Sequence, residues 1–438
     1  MTGRRESVSS QEIPQEKKPD APFNIHSYRW LLGICVSQVL LMMVFLNYSA
    51  VLPLLQREWG ISNTTAGSIF STYQVGYIFS AVLLSFLADR YSAKYIFLLS
   101  AIWSVIANAL FALFAAGATS AIILRGMAGL GMGGTYMPGL KLVAERFGSE
   151  ARGRAVGLYV GSMVLGAALS LSVTGLVASL AGWRLAILAT AGGTFLGFWI
   201  AFTVLKGMKV TIAPAPTEKG LQREVLRNRP TLLMIMGYTA HMWEMYGMRG
   251  WMAPFLTANL TKAGYGVSQA AGIGANLSAL VVGVGGLSTG AAGLISDRIG
   301  RTRTVMLMMG ISISCSLTLG WLFGFSLIWI VSLSLIYGFF VVAESPAFST
   351  GITELVTPRY VGAAMGLQSL VGFTAASLSP AAFGYVLDLT NGGTRDVTSL
   401  TTWGWAFTAL GLPAMVGPLA MFLLRRLPES GRMAGGKK

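Results

Sequence analysis

The segment Leu87-Ala-Asp-Arg-Tyr-Ser-Ala-Lys94 recurs as Ile295-Ser-Asp-Arg-Ile-Gly-Arg-Thr302, an offset of 208 residues from Asp89 to Asp297. Each copy lies between two long apolar stretches, and a small residue, Ser85 or Gly293, precedes it by two positions. A second match aligns Glu145–Leu158 with Glu354–Leu367 without a gap at an offset of 209, pairing Gly153 with Gly362 and Gly157 with Gly366. Pro53-Leu-Leu likewise resembles Pro254-Phe-Leu. Two gap-free anchors at nearly one offset mean that a single half-chain plan is used twice. The fold must therefore consist of two similar halves.

Those halves are apolar. Hydrophobic residues fill 54% of the 438 positions and charged residues 11%, too little charge to cover a water-soluble chain of this length. Runs of about 20 apolar residues, enough to cross roughly 30 Å of hydrocarbon, occupy most of the sequence. Twelve spans are expected, at about 30–54, 64–87, 95–116, 119–144, 155–181, 184–205, 231–257, 270–294, 304–324, 327–352, 361–387 and 403–424. The 54 glycines suit close packing of membrane helices.

A net charge of +15 would suggest nucleic acid in a soluble protein. Position argues otherwise. Of the 32 Lys and Arg, 25 fall on the side of the tails, the alternate short loops and the central connection. Arg57, Arg184, Lys262 and Arg395 fall on the other side, and Arg125, Lys141 and Arg249 lie within or at the ends of spans. Such an excess marks the cytoplasmic face. Both termini are expected in the cytoplasm, and no nucleic-acid partner is. Cys35 and Cys315 lie in different apolar spans and read as small core residues, not as a disulfide or metal pair. The polar stretch 1–27 reads as a cytoplasmic tail without a signal-peptide pattern.

Residues 206–230 carry Lys206, Lys209, Lys219, Arg223, Arg227, Arg229 and a Pro-Ala-Pro, and separate six spans from six. The expected organisation is a tail (1–27), an N-terminal six-helix bundle (28–205), a cytoplasmic linker (206–230), a C-terminal six-helix bundle (231–427) and a second tail (428–438). This is an all-α membrane protein with pseudo-two-fold related bundles. Repeated halves of this kind rock against each other around a shared site, which points to a transporter.

On these residues the chain resembles the major facilitator superfamily, over about residues 28–427. The family's loop signature Gly-x-Leu-Ala-Asp-Arg-x-Gly-Arg-Lys is mostly kept in Gly293–Thr302. The first copy has Ser85, Ser92 and Ala93 where the family prefers Gly, Gly and Arg, but keeps Asp89, Arg90 and Lys94. The family's fourth-helix signature Arg-x-x-x-Gly-x-Gly occurs as Arg125–Gly131. The resemblance implies twelve helices, alternating access and a cytoplasmic gate. Asp89 and Asp297 can cap neighbouring helix N-termini. Arg90 and Arg298 can pair with Glu145 and Glu354, with Lys94 and Arg301 completing the set. Such a cluster is expected to latch the two bundles when the cavity faces out. The alternative is a set of surface ion pairs worth about 0–1 kcal/mol each.

Inside the spans, Arg125 costs at least about 2.5 kcal/mol on insertion scales and so needs a role. It either receives an anionic group of the substrate, tunes a proton-carrying carboxylate (the role that the resemblance implies), or satisfies carbonyls at a helix break. Its equivalent in the other half is Ser334. In span 7, His241 and Glu244 share one helical face. Together they can hold a proton in the physiological range, or form a static pair that pins the helices. Arg249 lies further along the same span. Asn47 and Tyr48 of span 1 fall at the level of Met248 and Arg249, and the resemblance implies that these first helices line the cavity. Glu344 precedes Pro346, which can kink span 10. It is expected to be a second cavity carboxylate, or else one satisfied by Ser345. Lys141 is near enough to the cytoplasm to snorkel.

The glycine run Gly129–Gly134 follows no strand, so it is no nucleotide loop, and energy from ATP is not expected. Span 5 has Gly161–Ser170 without proline, whereas the family's drug/proton antiporters carry Gly-Pro-x-x-Gly-Gly there. Interior arginines beside carboxylates suit a small anionic or zwitterionic organic solute. The expected function is proton-coupled secondary transport of such a solute, with a drug antiporter and a non-transporting receptor as alternatives. The partners are the solute, protons and the bilayer; the chain is expected to act as a monomer in a bacterial inner membrane. No enzymatic activity, cofactor or metal is expected.

Overall fold

The computed structural model describes residues 25–88, 91–208 and 225–437. Asp89 and Arg90 of the first loop motif, and most of the 206–230 connection, lie outside the described residues. In hydrocarbon a backbone must bond within its own segment or a closed barrel, and every apolar stretch is helical. Span 1 is Ile25–Leu41 with Asn47–Trp59, span 2 Asn63–Ala88, span 3 Ala93–Phe114 and span 4 Ala118–Arg146. Spans 5 and 6 form one run, Ser149–Leu205, folded back at Gly182, whose φ of 83° suits a residue without a side chain. Spans 7 to 9 are Arg229–Lys262, Val267–Ile299 and Arg301–Leu319. Span 10 is Leu327–Ala343 with Ser345–Leu355, span 11 Val361–Thr390, and span 12 Gly404–Ala414 with Val416–Arg426.

Proline explains the interruption of span 10. Pro346 starts its second segment and has no N–H to continue the ladder, so the helix resets at Glu344. Span 1 breaks at Met42–Leu46 with no proline nearby. Close packing within each half rests on bare backbone: a Cβ on Gly129 would collide with the Tyr73 carbonyl, and one on Gly338 with that of Val281. The outer surface is apolar, with Leu180 79%, Leu287 75% and Trp329 69% exposed, as a lipid-facing surface requires.

The halves are pressed together at the end away from the termini. Asp388, at the end of span 11, caps the start of span 2: one carboxylate oxygen accepts from Asn63 N (3.0 Å) and Nδ2 (2.8 Å). The other accepts from Thr64 N (2.8 Å) and Oγ1 (2.6 Å). Gly67 abuts the Pro380 backbone and Gly384 that of Asn63. Arg57 pairs with Asp396 at 3.5 Å, and Arg395 donates to the Gly60 carbonyl at 3.0 Å. Ser49 Oγ donates to the Gly250 carbonyl at 2.8 Å, joining span 1 to its repeat, span 7. At the end bearing the termini, Gly153, Gly157, Gly290, Gly293, Gly362 and Gly366 all face open space. Among the described residues, the halves do not pack against each other at these glycines.

Candidate functional site

The break in span 1 is held by two neighbours. Ser170 Oγ of span 5 donates to Met43 O at 2.6 Å and accepts from Leu46 N at 3.2 Å. Arg125 of span 4 donates to Val44 O (3.1 Å), Phe45 O (3.1 Å) and Asn47 Oδ1 (3.0 Å). Its guanidinium also lies 4.7 Å from the Tyr73 ring centroid and 5.6 Å from that of Tyr48. This is the helix-break arrangement of the alternatives for Arg125: two of its hydrogen bonds go to main-chain carbonyls at the break, while its Nε is buried without a hydrogen-bond partner. Asn47 is spent too, donating to Asn108 Oδ1 (2.9 Å) and Thr190 Oγ1 (3.0 Å). The Tyr48 hydroxyl donates to Ala66 O at 3.0 Å. Both side chains are wholly buried and knit the N-terminal half internally.

The expected His241–Glu244 pair does not form. His241 Nδ1 meets Glu344 Oε1 at 2.9 Å, and its Nε2 meets Ser345 Oγ at 2.8 Å. Glu244 instead accepts from Ser312 Oγ of span 9 at 3.1 Å. The reset of span 10 at Glu344 brings its carboxylate to the imidazole. Glu244, nearly a turn further along span 7, faces span 9. One oxygen on each carboxylate, Glu244 Oε1 and Glu344 Oε2, is buried without a hydrogen-bond partner. Ser345 serves the histidine rather than Glu344.

Between the halves, near the midpoints of their helices, runs a layer of aromatic rings. Tyr77 of span 2 meets Phe373 of span 11 at 4.3 Å between centroids, and Phe373 meets Tyr246 of span 7 at 5.6 Å. Tyr246 meets Phe45 at the span 1 break at 6.0 Å, and Phe45 meets Tyr73 at 5.7 Å. Tyr238, 5.9 Å from the His241 ring, also packs against Gly372 beside Phe373 and so links this layer to the His241–Glu344 pair. Arg249 lies 5.9 Å from the Tyr246 centroid. Its Nε is buried without a hydrogen-bond partner, and none of the ion pairs among the described residues involves it. Gln74, beside Tyr73, has both amide atoms buried and unpartnered. Sequence reasoning missed this layer, although Tyr73 and Tyr77 stand one helical turn apart. It also missed Asp388, whose charge at a span end was the available signal.

The loop cluster differs from expectation. Glu354 is held by Arg301, at 3.3 Å from Nε and 2.9 Å from Nη2, not by Arg298, which is exposed. Arg301 opens span 9 one turn after Asp297 and is only 7% exposed, so it can reach Glu354 on span 10. It also donates to Asp297 Oδ1 at 2.5 Å and Ser296 Oγ at 3.0 Å. The tail joins in, with Ala434 N donating to Glu354 at 3.1 Å and Lys437 Nζ to the Asp297 carbonyl at 2.8 Å. Among the described residues, the cluster ties spans 8, 9 and 10 of one half to the tail. Asp297 binds Arg301 here; the carboxylate that caps a helix across the halves is Asp388, at the opposite end. Glu145 pairs within its own helix, 3.9 Å from Lys141, and Lys94 lies 5.7 Å from the Tyr95 ring centroid.

A family model described as the Major Facilitator Superfamily matches residues 34–380. The hexuronate transporter of Bacillus subtilis (strain 168) is 24% identical over 409 residues, 88% of this chain and 92% of that one. The chloroplastic ascorbate transporter of Arabidopsis thaliana is 24% identical over 398 residues, 82% of this chain and 70% of that one. Among solved structures, a bacterial homologue of the human lysosomal transporter Spinster, inward-facing and occupied, superposes with a TM-score of 0.73 at 17% identity, covering 92% of this chain and 98% of that one.

Proposed function

This chain belongs to the Major Facilitator Superfamily, and from that premise we propose that it carries a small organic anion across a bacterial inner membrane, coupled to protons. Membership makes it an integral membrane transporter. The anion rests on one observation: Arg249 is an interior guanidinium beside the inter-half aromatic layer, without a carboxylate partner among the described residues. An uncompensated charge in hydrocarbon is expensive, and a substrate carboxylate or phosphate can supply the missing partner bidentately. Arg125 is a poorer anchor, because three of its hydrogen bonds already hold the span 1 break, although its Nε too is buried without a partner. The two relatives reported above are named for hexuronate and ascorbate, both organic anions.

Proton coupling is assigned to His241 and Glu344. With Glu344 ionised, a neutral imidazole donates from Nδ1 and accepts from Ser345 at Nε2. One added proton converts this to an imidazolium–carboxylate pair or a neutral acid–imidazole pair, so the pair can load and release one proton. We read the end bearing the termini as cytoplasmic from its excess of basic residues; on that reading the arrangement is an inward-open stage, with Asp388 and its neighbours closing the periplasmic end.

Counterflow of labelled carboxylates in proteoliposomes tests the anion. Arg249→Gln should weaken carboxylate affinity about ten- to hundredfold, the worth of a hydrogen bond to a charged group. Unchanged affinity in this variant, or counterflow confined to neutral or cationic solutes, defeats the anion reading.

A further inference from the structure

Arg249 stands at the edge of a cluster that is aromatic far beyond what an anion requires. Phe45, Tyr73, Tyr77, Tyr246 and Phe373 come from spans 1, 2, 7 and 11, and so from both halves. Their rings are neither parallel nor collapsed into stacks: Tyr77 and Phe373 are inclined at 45°, and Tyr246 and Phe373 at 66°. Inclined rings present both faces and edges, which are the surfaces that a further planar ring meets in offset or edge-to-face contact. A guanidinium binds a carboxylate in its own plane. A carboxylate held by Arg249, 5.9 Å from the Tyr246 centroid, would place the group attached to it among these rings.

We infer that the substrate is a carboxylate conjugated to a planar unsaturated ring, with Arg249 as its anchor and the Tyr77–Phe373–Tyr246 layer as its ring site. The inference rests on the organic-anion reading above and narrows it. A sugar acid needs a partner for each of several hydroxyls, and every one left unpaired in this buried layer costs affinity. The layer is better matched to a π face. Gln74 adds a single amide whose two atoms are both unpartnered, so it can donate to or accept from one ring heteroatom or hydroxyl. Because the layer is built by both halves, an inserted ring would also bridge them. Binding would thereby bear directly on the inter-half contact that has to change during transport.

Competition in the counterflow assay separates the possibilities, with benzoate and nicotinate set against cyclohexanecarboxylate and glucuronate. The planar acids should compete about tenfold more tightly than cyclohexanecarboxylate, as favourable ring–ring contacts allow. Phe373→Leu should bring that ratio close to one, and Phe373→Tyr, which keeps the ring, should preserve it. Partial misfolding lowers the amount of active protein, whereas the ratio is read from the molecules that remain folded. Equal competition by saturated and planar acids, preference for glucuronate, or a ratio that survives Phe373→Leu overturns the ring site while leaving an anion transporter. Failure of all four carboxylates alongside transport of neutral or cationic solutes overturns the anion reading itself.

Discussion

Arg125 and Arg249 are alike in composition and unlike in circumstance. The Nε of each is buried without a hydrogen-bond partner, but Arg125 closes three hydrogen bonds within its own half, whereas Arg249 takes part in none of the ion pairs among the described residues. Their variants should therefore separate. Arg125→Ala should lower the stability of the substrate-free protein by about 2 kcal/mol or more, since buried hydrogen bonds to a charged group are lost. Arg249→Ala should chiefly remove the stabilisation that an added carboxylate confers. Thermal unfolding with and without benzoate measures both; the opposite pattern would exchange their roles. Glu344→Gln keeps a hydrogen-bonding group against His241 but cannot bind the proton. It should abolish uptake against a gradient and retain exchange at or near its original rate. Gradient-driven uptake by this variant would remove Glu344 from coupling. That these residues need compensation was legible in the sequence, because charge inside an apolar span is costly. The partners were not: His241 finds Glu344, 103 positions away, rather than Glu244 on its own helix.

Breaks and close approaches are decided at the level of the helix. The interruption of span 10 could be read from Pro346, a local covalent cause. That of span 1 could not, because what sustains it is Ser170 and Arg125 on other helices. Close approach of spans 2 and 4 depends on Gly129 meeting the Tyr73 carbonyl. Gly129→Ala should cost about 1–3 kcal/mol through overpacking, measured as a lowered unfolding temperature. A neutral result would mean that the pair of helices can separate without loss. The glycine signature in span 4 was legible as a packing motif, but the helix it packs on was not.

For the molecule as a whole, the halves meet along spans 2 and 11 and along spans 5 and 8, and at the end away from the termini Asp388 and the Arg57–Asp396 pair carry charge across the contact. A carboxylate against a helix N-terminus is worth about 0.3–1 kcal/mol, and up to about 2 when partly buried. Asp388→Asn should shift the halves toward opening at that end, raising the labelling of a cysteine introduced there severalfold. Gly67→Ala, which drives a methyl into the Pro380 backbone, should do the same by sterics alone. No change in labelling in either variant would deny the contact its part in closure. By itself, the sequence determined the twelve helices, their duplication into two halves and the family, since hydrophobic length, repeat offset and glycine spacing are properties of the chain read in order. The tertiary structure decided which charges meet, which end of the halves is closed, and which aromatic rings share the interior. Those depend on residues from different helices arriving at the same place, and no local pattern in a helix records what the neighbouring helix brings to it.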